Sequence, residues 1–174
     1  HCNGSDYWIV IHEFNSSTFR SYQLTPTGLN LTPVLSNVGS VHSGNGYQAG
    51  CMKISPNGKK LGLAIAGAGF EVFDFDASTG QVTNSLNISS TISGNMAYGC
   101  EFSPDGTKFY GSVFSGGPSV FGSNIYQWDL CAGSNTSVVN SIYPLVTSNT
   151  VNRGTLQLAL DGKIYATRPA TNSL

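Results

Sequence analysis

The chain has 174 residues, with 8 Lys or Arg, 9 Asp or Glu and a formal net charge of -1. Charged residues make up 10% where about 25% is usual, which excludes a basic nucleic-acid footprint and a helical bundle. No run of about 18 apolar residues exists to span a membrane as a helix, and 9 Phe, 8 Tyr and 2 Trp supply too much apolar surface for a disordered chain.

The chain opens on a turn at Asn3-Gly4, followed by the apolar run Tyr7–Ile11. Asn-Gly or Asp-Gly before such a run is the strongest short-range hairpin signal, because both residues tolerate φ > 0. Phe19–Leu24 reads as a second strand, ended by Thr25-Pro-Thr-Gly28, and Leu31–Leu35 as a weaker third. The same order then returns. Lys53–Ser55 leads into Pro56-Asn57-Gly58, followed by Leu61–Ile65, Phe70–Phe75, a turn at Asp76–Gly80 and the extended segment Gln81–Leu86. Next come Glu101–Ser103, Pro104-Asp105-Gly106, Phe109–Val113, Ile125–Leu130, a turn at Cys131–Asn135 and the extended segment Val138–Ile142. A last copy, Gln157–Arg168, stops after its second strand. The β-branched and aromatic residues of these runs fit a pleated surface. Each Pro ends the preceding strand. Ala66–Gly69, Ser40–Gly50 and Gly111–Gly117 read as flexible connections.

The turn glycines Gly4, Gly58, Gly106 and Gly162 stand 54, 48 and 56 residues apart. Four short antiparallel strands in about 50 residues is the content of one β-propeller blade. The expected fold is therefore all-β, a β-propeller segment of about three and a half four-stranded antiparallel blades. It reads as one partial propeller, with blades at 1–48, 49–98 and 99–154 and a partial blade at 155–174. The first unit lacks the strand that should precede its Asn3-Gly4 turn. Propellers close with about 4–8 blades, so the ring is expected to be incomplete, and self-association through open blade edges is one expectation. With no initiator Met and no leader pattern, the chain reads as a mature or excised piece.

At these residues the chain resembles a family. His1–Glu13 is similar to the "HxNGxDYWxxxHE" signature of large secreted Bacteroidetes proteins. The stretches Leu24–Gly28, Val34–Gly39, Met52–Gly58, Phe73–Gly80 and Leu156–Tyr165 extend the likeness over nearly the whole chain. The resemblance implies a propeller with WD-repeat-like blades. It also implies a parent protein that carries a gliding-motility-associated C-terminal sorting domain for type IX secretion. The 23 Ser, 14 Thr, 15 Asn and 21 Gly suit a secreted or cell-surface β protein. Five sequons, at Asn3, Asn15, Asn30, Asn87 and Asn135, matter only where a host glycosylates Asn.

Candidate sites are sparse. Trp8, Tyr126 and Trp128 could stack on sugars, although their strand positions favour packing between blades. The three histidines His1, His12 and His42 do not show by spacing that they converge, and His12 at a strand end reads as a satisfied structural residue. Glu13, Glu71 and Glu101 are too scattered to read as an acid/base pair. Asp74–Gly80 has its Gly one place late for a calcium loop, and Ser85 stands where the bidentate Glu belongs. It reads as a hairpin turn. No metal site and no cofactor are expected. The four cysteines show no C-x-x-C spacing. Cys51 and Cys100 occupy equivalent strands of adjacent blades and form a candidate disulfide. Their offsets from the following Pro differ by one, which turns the two side chains to opposite faces and leaves the bridge open.

The expected function is a noncatalytic recognition or adhesion scaffold of a secreted bacterial surface protein, binding glycan or protein through its loops. One alternative is a propeller enzyme of the lactonase or quinoprotein type, its site completed by further blades. The other is a self-assembling structural unit.

Overall fold

The computed structural model describes residues 4–44, 49–89, 92, 96–114, 123–148 and 154–167. His1, Cys2 and Asn3, with the inner parts of the 40–50 and 111–117 loops, lie outside the described residues. Antiparallel sheets follow one another along the chain. The first holds β1 (Tyr7–His12), β2 (Thr18–Thr25), the short β3 (Gly28–Leu29) and β4 (Val34–Asn37), with β2 central. The second runs in the order β5 (Gly50–Ile54), β6 (Lys60–Ile65), β7 (Gly69–Asp76) and β8 (Gln81–Asn87). The third holds β9 (Met96–Phe102), β10 (Lys108–Phe114), β11 (Ser123–Asp129) and β12 (Tyr143–Ser148) in the same order. A two-stranded sheet of β13 (Leu156–Leu158) and β14 (Ile164–Ala166) comes last. Each sheet meets the next, with β4 against β8, β5 and β6 against β9, and β13 against β9 and β10. This is an all-β propeller segment. β1 follows its turn as β6 and β10 follow theirs. Among the described residues, no strand pairs with its other edge.

Five local expectations change. Val138–Ile142 is not extended, because a short helix α1 (Asn135–Asn140) occupies its start. The Ser134 hydroxyl caps it by accepting from the Ser137 amide at 3.1 Å, and Val138 is buried in the core. The strand is displaced to Tyr143–Ser148. In the first sheet, Pro33 lacks an amide for the ladder, and pairing begins at Val34, while Gly28 and Leu29 form their own short pairing. Gly111 lies within β10, not in a loop. Ala66–Gly69 is a tight connection, with the Ala68 amide donating to the Ile65 carbonyl at 3.0 Å. The third sheet begins at Met96, ahead of the expected blade boundary at 98/99.

The repeated turn is built differently from a two-residue hairpin. Gly58, Gly106 and Gly162 have φ of 70°, 72° and 77°, but Asn57, Asp105 and Asp161 do not share the left-handed conformation. Each glycine amide instead closes onto a carbonyl three residues back: Ser55, Ser103 and Ala159, at 2.8, 2.9 and 3.0 Å. The Asx side chains accept from the amide two residues on: Lys59 at 3.1 Å, Thr107 at 3.0 Å and Lys163 at 3.0 Å. These are type I turns with an Asx bond, closed by a glycine that can adopt positive φ. In the two complete copies the Ser55 and Ser103 hydroxyls accept from the Lys60 and Lys108 amides, both at 2.9 Å.

The core sits between sheets. Strand alternation sends Leu61, Leu63 and Ile65 of β6 toward the first sheet, where they pack with Phe19, Phe73, Phe75 and Val82. Ala64, Phe70 and Val72 face the third sheet and pack with Cys100, Phe102, Phe109 and Trp128. Phe70, Phe109 and Trp128 meet at ring-centroid distances of 5.4 to 6.0 Å in tilted and edge-on contacts. Such contacts contribute beyond buried area. The closeness requires glycine at two strand positions. A Cβ on Gly62 would lie 2.3 Å from Phe109, and one on Gly111 would lie 2.5 Å from Phe70. Phe109→Ala should destabilise the fold by about 3–5 kcal/mol, and Gly62→Ala by about 1–3 kcal/mol through overpacking. Urea unfolding checks both values. Equal midpoints for the wild type and both variants would contradict this account of the core.

Candidate functional site

A cavity of about 270 Å³ opens where the end of β1 meets the start of β5 and the end of β6. His12, Glu13, His42, Cys51 and Met52 line it together with backbone and apolar groups of β6. The β1–β2 register sets His12 opposite Phe19, and its ring meets Phe19 edge-on at 4.6 Å. His42 is fixed by its backbone: its carbonyl accepts from the Asn15 amide at 2.8 Å and its amide donates to the Ser16 carbonyl at 3.1 Å. The two imidazoles stack at 3.6 Å with an interplanar angle of 19°. Both ring nitrogens of His12 and Nε2 of His42 are buried without a hydrogen-bond partner among the described residues. His12 is thus not the satisfied structural residue expected at a strand end. Burial lowers the pKa of His12. Burial, and then the like charge of His12, lower that of His42 to about 4. Both rings are neutral at pH 7 and carry free lone pairs.

The three glutamates are kept apart. Glu13 pairs with Arg20. Glu71, buried, accepts from the Ser40 amide at 3.2 Å and from the Ser40 hydroxyl. Glu101, also buried, accepts from the Leu158 and Phe102 amides, each at 2.9 Å. Lys53 Nζ lies 3.3 Å from Glu101 and donates to Gln157 at 2.7 Å. This network joins β5, β9 and β13, the first strands of three successive sheets. No sequence motif announced it, because its members lie 48 to 104 residues apart in the chain. The Asp74–Gly80 carboxylates are taken up by the protein itself. Asp76 accepts from the Ser78 amide at 2.8 Å, and Asp74 accepts from Lys60 and Asn84. Among the described residues, no group of three His, Cys, Asp or Glu is placed to hold a metal ion.

The aromatic candidates lie between sheets. Trp128 is 0% exposed. Tyr126 packs beside it at 6.1 Å, and its hydroxyl accepts from Asn124 at 3.0 Å. Trp8 is half-buried against the second sheet, its indole donating to the Ala77 carbonyl at 2.9 Å while its ring covers Gly80. The buried Trp128 ring is not accessible to a sugar. Cys51 and Cys100 are free thiols that face each other: the Cys100 thiol lies 3.5 Å from the Cys51 carbonyl, and the Cys51 sulfur 3.8 Å from the Cys100 carbonyl. The one-residue offset is what brings them together. Neighbouring blades present opposite faces to their shared interface, so residues meeting across it differ by one in register.

No family model matches the chain, and no curated protein matches it. Solved structures do. A candidate 6-phosphogluconolactonase from Bacteroides uniformis is 17% identical with a TM-score of 0.58, over 94% of this chain and 44% of its own. The periplasmic gluconolactonase of Pseudomonas aeruginosa is 12% identical with a TM-score of 0.56, over 94% and 47%. TolB of Acinetobacter baumannii is 24% identical with a TM-score of 0.52, over 98% and 37%. At these identities the likeness shows the fold, and the chain spans less than half of each of these proteins. Two of the three are named as lactonases and none is named for adhesion. The likeness to propellers named as lactonases counts against the expected noncatalytic adhesion scaffold, which is withdrawn. No helix among the described residues is long and apolar enough to cross a membrane.

The histidine pair predicts a pH dependence. The folded pKa of His42, about 4, lies below its ordinary value of 6.5. The unfolded chain therefore binds the proton first as pH falls. The contribution is complete above pH 6.5 and is lost progressively down to about pH 4, by roughly 3 kcal/mol for this residue. Urea midpoints measured from pH 7 to pH 5 should fall steeply in the wild type and less so in His42→Gln. Parallel profiles would contradict a buried neutral His42.

Proposed function

We propose that this chain forms part of a propeller enzyme of the lactonase type, which opens a cyclic sugar-acid ester with water. The observation that carries the reading is the cavity at His12 and His42, where two neutral imidazoles present buried ring nitrogens, unpartnered among the described residues, beside open space. The likeness to propellers named as lactonases supports it. A base that is already neutral at pH 7 needs no prior deprotonation. In the proposed reaction a water held by His12 attacks the ester carbonyl as the imidazole takes its proton. The ring C–O bond then breaks, and the leaving alkoxide recovers that proton from the imidazolium, giving the open hydroxy acid. Burial of His12 disfavours the imidazolium and drives the proton back to the leaving oxygen.

We also infer that the parent protein is exported. Support comes from the low charge, the Ser, Thr, Asn and Gly content and the resemblance to secreted Bacteroidetes proteins. Fractionation of the source cells tests this, and a parent confined to the cytosol would reject it.

Since the chain spans less than half of those propellers, the assay uses the longest protein that contains it. Acid release from δ-gluconolactone should exceed the spontaneous rate, and His12→Ala should lower kcat/KM by roughly a hundredfold or more. A rate no higher than the buffer blank, or a fully active His12→Ala, would reject the reading.

A further inference from the structure

The thiols of Cys51 and Cys100 have no part in that hydrolysis, yet their placement is specific. Cys51 is on β5 and Cys100 on β9, the first strands of the second and third sheets. Each sulfur reaches the carbonyl of the other residue, at 3.5 and 3.8 Å. This reciprocity sets the two side chains face to face across the interface. Their access differs. Cys51 is half-buried and lines the cavity, whereas Cys100 is 0% exposed within the core.

We infer that Cys51 and Cys100 form a thiol–disulfide exchange site, in which Cys51 attacks a small disulfide entering by the cavity and Cys100 then closes an internal disulfide. Thiolate character points the same way. Hydrogen bonding to Cys100 lowers the Cys51 pKa to about 6, against burial and the charge of Glu101 and with help from Lys53. Burial pushes the Cys100 thiol up. The attacking group is thus the half-buried thiolate that lines the cavity and the resolving group the fully buried thiol, an order that suits exchange chemistry.

The steps balance. The Cys51 thiolate attacks one sulfur of a disulfide RSSR, and the S–S bond breaks. RS⁻ leaves and takes a proton from water, so Cys51 carries a mixed disulfide. The Cys100 sulfur then attacks the Cys51 sulfur and expels the second RS⁻, which accepts the Cys100 proton. The two protein thiols lose two electrons, and RSSR is reduced to two RSH. The product ties β5 to β9 covalently. The site stands on geometry independent of the hydrolytic reading.

The test uses folded protein with Cys2→Ser, so that Cys131, an exposed thiol, serves as internal reference. Protein is treated with glutathione disulfide at pH 7, quenched by acid and mapped by non-reducing peptide mass spectrometry. The expected result is a linked pair of peptides containing Cys51 and Cys100, released by dithiothreitol. Cys100→Ser should accumulate glutathione on Cys51, and Cys51→Ser should leave Cys100 unmodified. Iodoacetamide labelling of Cys51 in the Cys100→Ala protein should occur in the native state, without denaturant. Glutathione stopping on Cys131 while Cys51 and Cys100 stay reduced would overturn the inference. So would a link that forms only after addition of urea.

Discussion

Everything in this fold depends on how closely one sheet approaches the next. Phe70 of β7 lies against Phe109 and Trp128 of the third sheet, and that approach leaves no room for a side chain at Gly62 or Gly111. Two glycines in strand interiors are costly in isolation, because they pack nothing and lose the most entropy on ordering. Here they let aromatic rings descend onto the neighbouring backbone. Dispersion and apolar burial over those contacts offset the entropy. The first interface uses the same device with different residues: Trp8 lies over Gly80, and Phe19 packs on Phe73.

Close approach also settles where polar groups can go. The Glu101 carboxylate sits among the first strands of three sheets, where an unpaired charge would be heavily penalised. Two backbone amides and Lys53 satisfy it, so it fastens β5, β9 and β13 in place. His12 and His42 are the contrast. His42 is buried and His12 half-buried, and their buried ring nitrogens have no such partners among the described residues. Ser21 and Trp128 also bury a polar atom without a partner among the described residues, but at His12 and His42 the unmet capacity lies beside open space. A buried polar group without a partner is uncommon enough to call for an explanation.

Much of the architecture could be read from residue order. The Ser-Pro-Asx-Gly runs at 55–58 and 103–106, and the apolar runs that follow them, gave the sheet number and strand order, because turn chemistry and pleat periodicity are local. The helix at Asn135–Asn140 was missed because Val138-Val139 looks like strand, while the capping hydroxyl of Ser134 and one buried anchor decide otherwise. The cavity was not legible, since His12 and His42 meet only after β1 and the loop before β5 are folded together. The Cys51–Cys100 pairing was legible in part. Face alternation was read within one sheet, but the pair belongs to two sheets that turn opposite faces to each other.

The repeated turn has a consequence for how such a chain can grow. Its carbonyls and amides are satisfied by the residues of the turn itself, through Ser55, Asn57 and Gly58 in one copy and Ser103, Asp105 and Gly106 in the next. Between the turns at 55–58 and 103–106, the Asn57 side chain donates to the Asp105 carbonyl at 3.2 Å. A duplicated segment would therefore arrive with its own bend already complete. As far as the bend itself is concerned, tandem copying needs no matched change elsewhere in such a chain, and the units remain free to drift apart in their loops.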